Sequence, residues 1–188
     1  MRWDDRLRNV FEDLEQQAEG LHLAARDAEV SDRSRAEYAT VTLASRLHAS
    51  VGSALTLRIV GVGRLQGLLM RVGLDWLLIR TDPTAQERIV SMAAVRDVRG
   101  LSDRAVSEPA RSVLTRLGLG SALREVAEAG ATAVFEHLDG TQQRGALVRV
   151  GDDFVEIRTV SEVGTPDRDT EADYHVLPFT GLAAVRRT

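Results

Sequence analysis

Between residues 51 and 101 the apolar positions come in short alternating or clustered runs bounded by glycine, the mark of strands rather than helices. They predict strands near 54–60, 64–72, 75–81, 87–91 and 94–99. The turn Gly73-Leu74 joins the second to the third, with glycine supplying the positive φ of a tight hairpin. Upstream the rhythm is helical. Leu7, Val10, Leu14 and Leu21 recur at heptad-like spacing behind Asp4 or Asp5 as a cap, with Trp3 before the stripe and Phe11 beside it. A second helix is expected from about Asp32 to Ser50, capped by Ser31, with Tyr38, Val41 and Leu47 on its apolar face. Ser107-Glu108-Pro109-Ala110 opens a connector helix, because proline is tolerated in a first turn; it is expected to stop at Gly118, with Ser121 as the next cap.

The strand pattern occurs twice. Gly67-Leu68-Leu69-Met70-Arg71-Val72-Gly73-Leu74-Asp75-Trp76-Leu77-Leu78-Ile79-Arg80-Thr81 returns as Gly145-Ala146-Leu147-Val148-Arg149-Val150-Gly151-Asp152-Asp153-Phe154-Val155-Glu156-Ile157-Arg158-Thr159, at a constant offset of 78 residues. Further on, Ile89-Val90-Ser91-Met92 answers to Val176-Leu177-Pro178-Phe179 and Val98-Arg99 to Val185-Arg186, at an offset of 87. The second copy has therefore gained 9 residues, within the acidic, breaker-rich stretch 160–173, which reads as a long mobile loop.

Five short antiparallel strands in about fifty residues close most economically as a small barrel, which leaves few exposed edges. The expectation is an α+β chain: a helical arm (1–50), a first five-stranded barrel (51–101), a helical connector (102–129) and a second barrel (130–188). Leu55-Thr56-Leu57-Arg58-Ile59-Val60, then Arg64-Leu65-Gln66-Gly67-x-Leu69-x-x-Val72 and the closing Ala94-Val95-x-x-Val98, resemble the Sm-like family, which includes the bacterial RNA chaperone Hfq. The resemblance covers about 110 residues over both copies and implies two tandem Sm-like barrels, each introduced by a helix. Departures are plain. Gly73 and Gly151 stand where that family places an acid after its second strand, and Met92-Ala93 and Phe179-Thr180 stand where Hfq carries its RNA-contacting Lys-His pair.

Charge changes the picture locally. The net charge is −4, yet residues 51–101 hold seven arginines against four acids, whereas residues 131–188 hold six against ten. A polyanion would choose the first repeat. Within it Arg64, Arg71, Arg80 and Arg88 are candidates for a phosphate track and Trp76 for stacking on a base; solvated strand faces and burial of the indole are the competing readings. All 24 basic residues are arginine, which reads as codon bias in a GC-rich genome.

Catalytic patterns do not emerge. His22, His48, His137 and His175 are scattered, cysteine is absent and no Gly-x-Ser-x-Gly elbow occurs. The pair Asp152-Asp153 falls in a hairpin turn, and Gly118-Leu119-Gly120-Ser121 lacks the context of a phosphate loop. The expectation is a protein without enzymatic activity, cofactor or metal. No apolar run is long enough to span a bilayer and the amino terminus lacks a signal pattern, so a cytoplasmic location is expected. Two functional classes stay open: a self-associating protein-interaction module, with Leu7, Val10, Leu14 and Leu21 as a contact for a partner or a second copy, and an RNA-binding regulator acting through the basic repeat.

Overall fold

Threonine and valine crowd the chain at Thr40-Val41-Thr42, and there the long second helix expected from sequence breaks. The Thr40 hydroxyl donates to the Glu37 carbonyl at 2.7 Å, a local bond that competes with helix continuation. The computed structural model describes residues 19, 20, 22, 26, 27, 29–81, 85–106, 117–159 and 174–187. Leu7, Val10, Leu14, Leu21, the opening of the connector helix and the acidic loop 160–173 lie outside them. The chain divides into two compact units, 1–42 and 43–188. The described part of the first is helical up to residue 39, and carries surface pairs such as Arg35 with Asp32 at 2.6 Å.

The second unit starts with helix α1 (Leu43–Ala49) and strands β1 (Ala54–Ile59), β2 (Gly63–Val72), β3 (Trp76–Thr81), β4 (Gln86–Ser91) and β5 (Val95–Arg99). Helix α2 (Leu119–Glu128) follows, and then β6 (Thr132–His137), β7 (Gln142–Val150), β8 (Phe154–Thr159), β9 (Tyr174–Pro178) and β10 (Leu182–Arg187). The first five strands lie within a residue or two of their expected positions. Alternation sets the faces of β1, where Leu55, Leu57 and Ile59 are buried while Arg58 faces out.

The two copies match strand for strand. Each has a bulge in its second strand at the same place, between Leu69 and Arg71 and between Leu147 and Arg149. In each, a short 3-10 turn (Met92–Ala94, Phe179–Gly181) links the fourth strand to the fifth. That turn is anchored to the preceding hairpin by a backbone bond of 2.8 Å, from Met92 to Asp75 and from Phe179 to Asp153.

The expected pair of closed Sm-like barrels is not what these strands build. They form one open antiparallel sheet of ten strands in the order β5-β1-β2-β3-β4-β10-β6-β7-β8-β9. In each repeat the fifth strand pairs with the first, but the fourth and fifth do not pair with each other. The outer edge of β4 is taken instead by β10 of the other repeat. Covering an edge is a general need of a sheet. Here the neighbouring repeat meets it, so closure of each five-strand unit is unnecessary.

Two apolar cores result, and they interlock. One gathers Leu47 of α1 with Leu55, Leu57, Leu69, Leu77 and Val90 of the first repeat, and takes in Ala183 and Ala184 from β10. The other gathers Leu123 of α2 with Phe135, Val155 and Ile157 of the second repeat, and takes in Trp76 and Ile89 from the first. Strands β4 and β10 therefore bury one face in each core. Gly61, at φ +75°, lets the β1–β2 turn lie against the backbone of His137, where any Cβ would collide with a carbonyl.

Candidate assembly interface

At the β4–β10 seam Val90 faces Ala184, Ile89 faces Val185 and Arg88 faces Arg186. The apolar members are sealed: Ile89 is 8% exposed, Val185 3% and Ala184 1%. A buried acid sits among them. Glu136 of β6 is 3% exposed and accepts two hydrogen bonds from Nη1 of Arg88, both at 3.0 Å, while Nε of Arg186 lies 3.6 Å from its Oε1. Desolvating a carboxylate is costly unless cations accompany it, so the two arginines are the condition on which Glu136 can be buried. Both Nε atoms lack a hydrogen-bond partner among the described residues. At the end of the seam the Gln86 amide donates to the Arg187 carbonyl at 3.0 Å.

A clamp between repeats supports this seam from the β2–β3 hairpin. Leu74 N–H and Trp76 Nε1 both donate to the Leu117 carbonyl, at 3.1 and 2.9 Å. The Asp75 carboxylate accepts from Leu119 N–H at 2.7 Å. The cap of α2 is thus a side chain from the other repeat, with Gly118 in the N-cap position, and not Ser121 as expected.

The ten-strand sheet ends at β5 and β9, whose outer sides pair with no strand among the described residues. They are the counterparts of the strands that meet at the seam: at the 87-residue offset β9 corresponds to β4, and β5 to β10. Val176 matches Ile89 but is 60% exposed, and Tyr174 beside it is 58% exposed. Val98 and Val95, the matches of Val185 and Leu182, are only half-buried. What the seam covers in one repeat is open at the ends.

The sequence-derived nucleic-acid residues do not converge. Arg64 pairs across β1–β2 with Arg58 and, with Arg99 and Asp97, lines a depression of about 200 Å³. Arg71 lines two cavities of about 360 and 350 Å³, each also lined by Trp76 and Glu125. Arg80 is half-buried opposite Glu87. Arg88 is committed to Glu136, and Trp76 is 7% exposed with its N–H bonded to Leu117, the burial reading rather than a free stacking face.

No protein-family model matches this chain, and neither does any curated protein. No described helix is long and apolar enough to cross a membrane. The residues that organise the seam, Glu136 and Arg186, escaped sequence reasoning. Their signal was a lone carboxylate inside the apolar run Ala133-Val134-Phe135-Glu136, where the first repeat has Arg58.

Proposed function

We propose that this chain is a non-catalytic assembly module whose copies join end to end, β9 of one pairing with β5 of the next. The observation that carries this reading is the β4–β10 seam, which supplies a template for that junction inside a single chain. Transferring its register by the repeat offset sets Asp97 opposite Leu177, Val98 opposite Val176, and Arg99 opposite His175. Strand addition at an edge satisfies both rows of backbone groups and would bury Val176 against Val98, as Ile89 is buried against Val185. Because the joining surfaces differ, the contact is head-to-tail, and its products are rings when the rotation closes and filaments when it does not.

The RNA reading has less behind it, since Arg88 and Trp76 already have partners within the fold. The test of assembly is multi-angle light scattering against concentration. The wild type is expected to exceed the mass of one chain, 20.6 kDa, at micromolar concentration. Val176→Lys, which puts a solvated charge on the edge, is expected to return it to that mass. A wild type of one-chain mass throughout the range overturns the reading.

A further inference from the structure

The two kinds of junction share a backbone plan and differ in charge. The equivalence is close: Glu136 faces Ala184 as Arg58 faces Asp97, and the β10–β6 and β5–β1 ladders carry the same register shift at matching residues. At the covered seam the set is Arg88, Glu136, Arg186 and Ala184. At the ends of the sheet the same four places hold His175, Arg58, Arg99 and Asp97. The buried acid of one set is an arginine in the other. Arg58 is already paired to Asp97 at 2.6 Å, on its own side of the junction.

Four edges could combine in several ways, and charge separates them. If β9 of another copy displaced β4 from β10, His175 would stand where Arg88 stands, and the buried Glu136 would lose both of its 3.0 Å hydrogen bonds. If β4 paired with a β5, Arg88 would face Arg58 and Arg99, with Asp97 as their sole acid and that acid already engaged. Both crossed pairings put an unmatched charge in a desolvated strip. The pairing of β4 with β10 satisfies Glu136, and that of β9 with β5 covers one acid, Asp97, which keeps its own cation Arg58 at 2.6 Å.

We infer that Arg88 and Glu136 are partner-selecting residues: they bind β4 to β10 within the chain and reject β9 and β5 at that seam, so that copies meet only through their ends. This rests on the end-to-end reading above. Arg58, Asp97 and His175 mark the ends as a different contact, weaker and separable from the seam.

The experiment transplants the set. Arg58→Glu, Asp97→Ala and His175→Arg together give the ends the charges of the covered seam; Asp97 and His175 lie on the edge strands β5 and β9, and Arg58 is an exposed position of the adjoining β1. Sedimentation of the full chain is expected to show association at about a tenfold lower concentration, a modest share of what close charge pairs contribute at interfaces. In a second arm, Arg88→Glu sets two acids together at the seam and is expected to broaden the mass distribution through mispaired edges; adding Glu136→Arg is expected to restore the wild-type distribution. Association of the triple variant at the wild-type concentration or above, or an unchanged distribution in Arg88→Glu, overturns the inference while wild-type association leaves the end-to-end reading standing. A monomeric wild type with an associating triple variant removes that reading and keeps the charge selection. If neither associates, both fall.

Discussion

Gly73 and Gly151 hold equivalent places in the two repeats, and the reason is space. Neither has positive φ, in contrast to the expectation that Gly73 serves the hairpin's backbone geometry. A Cβ at Gly73 would overlap the Trp76 ring, and one at Gly151 the Phe154 ring, so each glycine is the floor on which the repeat's aromatic lies. The repeat thus preserves a glycine-aromatic pair rather than two independent residues. Gly73→Ala is expected to lower stability by about 1–3 kcal/mol, the usual cost of overpacking a filled site. Thermal denaturation read by near-ultraviolet circular dichroism checks it; an unchanged midpoint would mean that the ring moves aside freely. Arg88 teaches a similar lesson. A strand with one solvated face would leave it in water, but both faces of β4 are covered, and a polar position read as solvated is half of a buried ion pair.

Helix α2 illustrates an element whose boundaries come from a distant part of the chain. Its N-cap position is a glycine without a side chain, and the missing acceptor arrives from Asp75, 44 residues earlier. Local reading therefore misassigned the cap to Ser121. Asp75→Ala is expected to destabilise the protein by about 1 kcal/mol, as the loss of a capping carboxylate does, and Asp75→Asn by less, because the amide oxygen can still accept. Chemical denaturation of both variants measures this, and equal stability to wild type would show the bond to be dispensable. Strands were more legible than helices because their signal is local. Period-two alternation and bracketing glycines place each strand of the first repeat, while the arrangement of helices depends on what they dock against. The interruption of the second helix at Thr40-Val41-Thr42 was also present in the sequence, as a run of β-branched residues in an otherwise helical stretch.

At the level of the molecule, the repeat was legible and the closure was not. Alternation says that a strand has an edge to cover without saying which strand covers it, and the resemblance to the Sm-like family suggested that each copy would cover its own. The sequence did hold one distinguishing sign. Leu182-Ala183-Ala184-Val185 is continuously apolar and its four residues are buried, as befits a strand between two neighbours, whereas its counterpart Val95-Arg96-Asp97-Val98 carries two charges between its valines, as an edge strand can. That difference separates the covered seam from the free end, and the proposed assembly depends on it. The most direct measurement is hydrogen exchange followed over protein concentration. Amides of β5 and β9 are expected to gain protection as concentration rises, with those of β4 and β10 protected equally at all concentrations. Protection of residues 95–99 and 174–178 that does not change with concentration, in a sample whose mass does increase, would place the contact elsewhere and contradict the account.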